Sequence, residues 1–231
     1  MIFPLAKYYI LSGNYGSGKT ELSLALARYL HQTYSGRTAL VDLDIVNPYF
    51  RSAEQKALLE AEGIEVFMPS FAMSTVDIPA LPANIQAVFT QDYDHVVIDL
   101  GGDDTGATAL GRYYPYLAPI REQIKMLYVV NPFRPLSGCP EDIAELFALI
   151  ERQARIRPDF LVNNANLQEH TCAEDIIKAQ ELLSQVSGQL GLPIGIVVGE
   201  ERLKAELPEE MQALFFPIHP LMKPEWLVDR Q

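Results

Sequence analysis

Cysteine is scarce in this chain: Cys139 and Cys172 stand far apart in 231 residues and form neither a CxxC nor a CxC pair. That spacing leaves no structural zinc site and fits a reducing cytoplasm, with packing or exposure near helix starts as the role expected of both. Basic residues are outnumbered as well, 18 Lys and Arg against 30 Asp and Glu, for a formal net charge of -12. A field of that sign repels nucleic acid phosphates and anionic lipid head groups, so neither nucleic acid nor a membrane is an expected partner. No apolar run reaches membrane-spanning length, and Pro4 and Lys7 interrupt the apolar core that a signal segment would need. Repeats, low-complexity tracts and linkers are missing too. The expectation is a soluble cytoplasmic protein of one domain, residues 1–231, long enough to bury a sizeable core.

What the chain does have is a rhythm. Short apolar runs at 8–11, 38–43, 64–68, 95–100, 125–130, 160–162 and 194–198 alternate with helical patterns. This alternation predicts an α/β fold, a mostly parallel central sheet flanked by helices. Pro140 with Glu141 and Asp142 marks one helix start, and Thr171-Cys172-Ala173-Glu174 reads as a capping box at another. The first helix offers Ile143, Leu146, Phe147 and Ile150 as an apolar face. The second offers Ile176, Ile177 and Leu183, interrupted by Gln180. Proline-rich segments at 71–82, 132–140 and 216–224 predict irregular connections, the last arguing against a long C-terminal helix.

The chemistry concentrates in Gly13-Asn14-Tyr15-Gly16-Ser17-Gly18-Lys19-Thr20, which fits the GxxxxGK[ST] phosphate-binding loop between a strand-like and a helix-like segment. The glycines let backbone N–H groups converge on an anion, Lys19 reaches the β and γ phosphates, and the Thr20 hydroxyl ligates Mg²⁺. Glu21, next in line, is counted with this nucleotide site. A second element is His95-Val96-Val97-Ile98-Asp99, an apolar strand ending in a carboxylate suited to the Mg²⁺ water shell. Behind it, Leu100-Gly101-Gly102 resembles a switch whose Gly102 N–H would sense the γ phosphate. Taken alone, Asp99 would read as a helix-capping carboxylate. A third acidic site is Asp42-Leu43-Asp44, whose spacing puts both carboxylates on one side of an extended segment. For Asp42 a solvated turn before Asn47-Pro48 is the plainer reading.

On these motifs the chain resembles the deviant-Walker ATPases of the MinD/ParA type, within the P-loop NTPases. The resemblance spans most of the chain and includes Leu161-Val162-Asn163-Asn164 at a late strand end. The run 42–51, DLDIVNPYFR, is similar to that of a bacterial group of MinD-like ATP-binding proteins. The resemblance implies that Asp44 positions the attacking water or the metal shell, and that Asn163 touches the adenine. The family's signature lysine near the start of the loop is replaced here by Asn14, which puts activation by a lysine reaching across a dimer in question. Arg51, just after the acidic switch, is then the candidate for a second cation at the γ phosphate, in its own subunit or across a dimer.

Base choice can be read from residues. A guanine site needs a carboxylate, as in NKxD, whereas the matching run here is Asn163-Asn164-Ala165-Asn166. An amide suits adenine, so ATP is favoured over GTP. The expected function is an Mg-ATP-dependent switch, an ATP hydrolase acting on an unidentified protein partner, with a homodimer as one arrangement. Two other readings stay open. One is an ATP-using small-molecule kinase or ligase of the dethiobiotin-synthetase type, with a pocket running from Asp103-Asp104 to Tyr113-Tyr114-Pro115-Tyr116. The other is a nucleotide sensor without turnover.

Overall fold

The computed structural model describes residues 5–44, 53–68, 83–102 and 104–218. Among them, strands β1 (Tyr8–Gly13), β2 (Thr38–Leu43), β3 (Ile64–Phe67), β4 (His95–Leu100), β5 (Ile124–Val130), β6 (Phe160–Asn163), β7 (Ile194–Gly199) and β8 (Phe215–Pro217) form one sheet. Their order is β3-β2-β4-β1-β5-β6-β7-β8 and every pairing is parallel. The helices are α1 (Lys19–Tyr34), α2 (Ala53–Ala61), α3 (Ala83–Thr90), α4 (Asp104–Gly111), α5 (Tyr114–Leu117), α6 (Pro140–Ala154), α7 (Ala173–Leu190) and α8 (Glu209–Ala213). No helix among the described residues is long and apolar enough to cross a membrane.

The central strands β1, β2 and β4 are buried along their whole length because both of their faces are covered, whereas the outer strand β3 leaves Glu65 exposed. In β1, Tyr8 and Ile10 join the core beneath α4 and α6, with Leu110, Ile143 and Phe147. Tyr9 and Leu11 face the other way, onto Leu22, Leu26 and Leu30 of α1. A third apolar cluster joins α7 to β7 and β8 through Ile176, Val197 and Phe215. The chain leaves β1 toward β2 on one side and later passes from β4 across β1 to β5 on the other. The crevice where strand order reverses therefore lies at the carboxyl end of β1, the usual place for a ligand in such a sheet.

Two local expectations shift. The α7 cap sits one residue later than predicted: Cys172 is the N-cap, and Asp175 closes the box from its side chain. Thr171 cannot serve because its hydroxyl is already used, accepting from Leu167 N–H at 2.8 Å and donating to Gln168 O at 2.7 Å. The segment predicted irregular from residue 216 onward begins with the edge strand β8, in which Phe216 pairs with Val198 and Pro217 with Gly199. A proline is tolerated there because an edge strand has an N–H side with no neighbour. The 71–82 segment and the chain beyond 218 lie outside the described residues.

Candidate functional site

The phosphate loop joins the buried strand β1 to α1, whose N-cap, Gly18, adopts a left-handed backbone at φ 85°. An added Cβ at Gly18 would also stand 2.4 Å from Asn164 Nδ2. Both constraints demand glycine. Lys19 is buried, and its ammonium donates to Asn14 O at 2.8 Å, folded back over the loop. Asn14 Oδ1 accepts from Tyr15 N–H at 2.7 Å, while its Nδ2 donates to Pro135 O at 2.7 Å and Ser137 Oγ at 2.9 Å. Thr20 and half-buried Glu21 sit in the first turn of α1.

Parallel pairing brings the acidic positions to this loop. Asp99 lies in register with Leu11 of β1 and with Asp42 of β2, so it ends its strand beside the start of α1. It is almost completely buried, and its Oδ1 has no hydrogen-bond partner. Burial pushes its carboxyl up from the usual 3.8 to about 6, opposed by the Lys19 ammonium and the Thr20 and Ser23 hydroxyls and reinforced by the Asp44 charge. Asp42 is buried as well, not solvated, and its Oδ1 accepts the Asp44 N–H at 2.8 Å. It thereby fixes the backbone from which Asp44 projects. Asp44 in turn lies over Gly101, where a Cβ would be 3.1 Å from Asp44 Oδ1. Gly102 rests on the phosphate loop: a Cβ there would be 2.5 Å from Tyr15 Cα and 2.6 Å from its amide nitrogen.

The two late-strand amides point in different directions. Asn163 is fully buried and turned toward α7, donating to Ile176 O and Gln180 Oε1 at 3.0 Å each and accepting from Ala165 N–H at 3.2 Å. The Asn163 amide, expected to touch the adenine, is thus hydrogen-bonded within the protein interior. Its neighbour Asn164 points the opposite way, as successive residues of an extended segment do. Asn164 Nδ2 donates to Ser17 O at 2.6 Å, and its buried Oδ1 has no partner. Because Ser17 O can only accept, the amide orientation is settled and the oxygen is the end left over.

One further side chain reaches the loop, and a second braces the connection that carries it. Arg134, between β5 and α6, donates from Nε to Gly16 O at 3.0 Å. Asn131, at the head of the same connection, donates to Asn166 O at 3.1 Å and ties it to the segment after β6. Arg51 lies outside the described residues, as does Asp103. The aromatics of the alternative substrate pocket pack on Phe89, with ring centroids 5.8 Å away for Tyr113 and 5.9 Å for Tyr116.

Solved structures share this fold. FlhF complexed with GMPPNP and Mg²⁺ superposes with a TM-score of 0.51 at 16% identity, over 84% of this chain and 67% of that one. Chloroplast FtsY from Physcomitrella patens gives 0.56 at 15% identity, over 92% and 64%. FtsY from Thermotoga maritima gives 0.52 at 17% identity, over 91% and 64%. The chain has the P-loop NTPase fold. At these identities the likeness concerns the fold alone, and the chain spans somewhat less than two thirds of the FtsY structures. No protein-family model and no curated protein matches the chain by sequence.

Proposed function

We propose that this P-loop NTPase binds Mg-ATP, hydrolyses it, and uses the segments after Asp44 and Asp99 as a switch on a protein partner. The observation that carries the reading is the contact of Gly102 with the Tyr15 backbone, while Asp44 lies on Gly101. A segment resting on the phosphate loop must respond when a γ phosphate arrives or leaves, and such order changes are how nucleotide switches work. Lys19 would leave Asn14 O for the β and γ phosphates, and the α1 N-terminus would add its backbone donors.

The residues at the start of α1 suit Mg²⁺, which takes oxygen ligands and keeps several waters. Thr20 offers a hydroxyl, and Asp99 an orphaned buried oxygen whose charged form is penalised by burial until a cation is near. Asp44 would complete the outer shell. Among the described residues no group of three or more His, Cys, Asp or Glu is placed to hold a metal ion. When bound, the ion would neutralise charge between the β and γ phosphates.

Adenine is favoured by Asn164. Its orphaned Oδ1 is an acceptor suited to the N6 amine of adenine, whereas guanine presents the acceptor O6 at the corresponding edge. FlhF has been solved with GTP and Mg²⁺, so guanine is the competitor to measure. Isothermal titration of ATP and GTP, with and without Mg²⁺, into the wild type and Lys19→Ala tests the reading. ATP binding that needs Lys19 supports it. Preference for GTP would overturn the base assignment, and a folded wild type that binds neither nucleotide would overturn the function.

A further inference from the structure

The loop between β5 and α6 carries the unexplained cation of this site. Arg134 is exposed and makes no ion pair among the described residues, yet its side chain lies along the phosphate loop. Its Nε–H donates to Gly16 O at 3.0 Å, and Nε and Cδ lie alongside Gly16, 3.4 and 3.5 Å from an ideal Cβ, in ordinary van der Waals contact. One face of the guanidinium is thereby used, and its remaining N–H donors are available at the rim of the loop. The segment is held in place. Arg134 N–H donates to Asn131 O at 3.1 Å, Ser137 N–H to Arg134 O at 3.2 Å, and Pro132 and Pro135 restrict the backbone on either side.

Asn14 completes the arrangement, since its amide reaches Pro135 O at 2.7 Å and Ser137 Oγ at 2.9 Å. The residue that stands where the resembling ATPases carry a lysine therefore tethers a loop that brings its own cation. We propose that Arg134 is a catalytic residue supplied within the same chain, contributing the second positive charge, beside Lys19, at the triphosphate as hydrolysis proceeds. The inference rests on the ATP-hydrolase reading above.

In that reaction water adds to the γ phosphorus, and the bond to the β,γ-bridging oxygen breaks with its electron pair leaving on ADP. The water proton passes to the phosphate product. Arg134 exchanges no atom; it stabilises charge that grows on the γ and bridging oxygens, which a guanidinium meets with paired donors.

The test compares wild type, Arg134→Ala, Arg134→Lys and Arg51→Ala in two measurements. The first is turnover at saturating Mg-ATP across protein concentrations. The second is the affinity for ADP alone and for ADP with aluminium fluoride, which mimics the transition state and does not require fast turnover. Arg134→Ala is expected to bind ADP within about threefold of wild type but to lose turnover and aluminium fluoride trapping by roughly 10³-fold, with partial recovery in Arg134→Lys. Rate per molecule is expected to be independent of protein concentration. An Arg134→Ala protein that traps and turns over like wild type overturns the inference, as does an equal loss of ADP and transition-state binding, which would mark a merely structural clamp. Loss in Arg51→Ala alone, or a rate that rises with protein concentration, also overturns it. If the wild type binds no nucleotide, the functional reading falls and takes this inference with it.

Discussion

Asp99→Asn should make the nucleotide-free protein more stable near neutral pH while weakening its response to Mg-ATP. The wild-type carboxyl is buried and pushed up from 3.8 to about 6. A carboxyl raised on folding binds its proton more tightly in the folded state. Its contribution to stability is therefore fully present below 3.8 and is lost as pH rises through about 6. A shift of that size corresponds to about 3 kcal/mol of cost to the folded state above the window, at 1.36 kcal/mol per unit. Asparagine keeps the shape and removes the charge, so the variant escapes the cost, less whatever its new N–H₂ group loses by burial without acceptors. For a domain of this size each kcal/mol moves the melting temperature by about 2–4 °C, so a gain of about 5 °C at pH 7.5 is a reasonable expectation. Thermal melts of both proteins from pH 4 to 8 without nucleotide measure it directly. The gap should open in favour of the variant between pH 4 and 7, and should shrink or reverse with saturating Mg-ATP, which stabilises the wild type by mass action. A variant that melts at or below the wild type at pH 7.5, by a margin independent of pH, would refute the argument that burial of charge dominates at this site.

Four other substitutions probe the same site. Gly102→Ala should push the segment after β4 off the phosphate loop, because the new methyl would meet the Tyr15 backbone at 2.5 Å and backbone cannot yield as a side-chain tip can; ADP should still bind, and loss of the affinity difference between ATP and ADP in titration calorimetry is the expected readout. Asn164→Ala leaves buried Ser17 O without its donor and should cost about 1–3 kcal/mol of stability in urea unfolding. The same variant should narrow any preference for ATP over GTP, whereas Asn163→Ala should lower stability without touching that preference. Asp44→Asn retains shape and hydrogen bonding but not charge, so nucleotide affinity should persist while turnover drops; affinity lost with turnover per bound ATP unchanged would remove Asp44 from the chemistry.

Much of this architecture is written locally. Seven strands were legible as short apolar runs, most of them covered on both faces and β3 on one, where Glu65 is exposed, so no neighbour had to be known to recognise them. The three residues of β8 are too few to carry a pattern, and they become a strand only through their pairing with β7. The α7 cap was misplaced by one residue because Thr171 and Cys172 both precede acidic positions at the right spacing, and only the turn at 167–171 shows that the Thr171 hydroxyl is taken.

The run from Gly13 to Thr20 and its place between a strand and a helix were legible in sequence alone, since the glycines, Lys19 and Thr20 of the motif fall within eight consecutive positions. The strand-end position of Asp99 followed in the same way, from His95 and three apolar residues leading to a carboxylate. Which of Asn163 and Asn164 faces the loop was left to tertiary structure, because alternation along a strand puts them on opposite faces and only the packing of α7 against Asn163 sets the phase. The contact of Arg134 with Gly16 joins residues far apart in the chain, and nothing in its local run of prolines points there. The raised carboxyl of Asp99 was likewise decided by the fold, because an aspartate is an ordinary acid until packing removes its water.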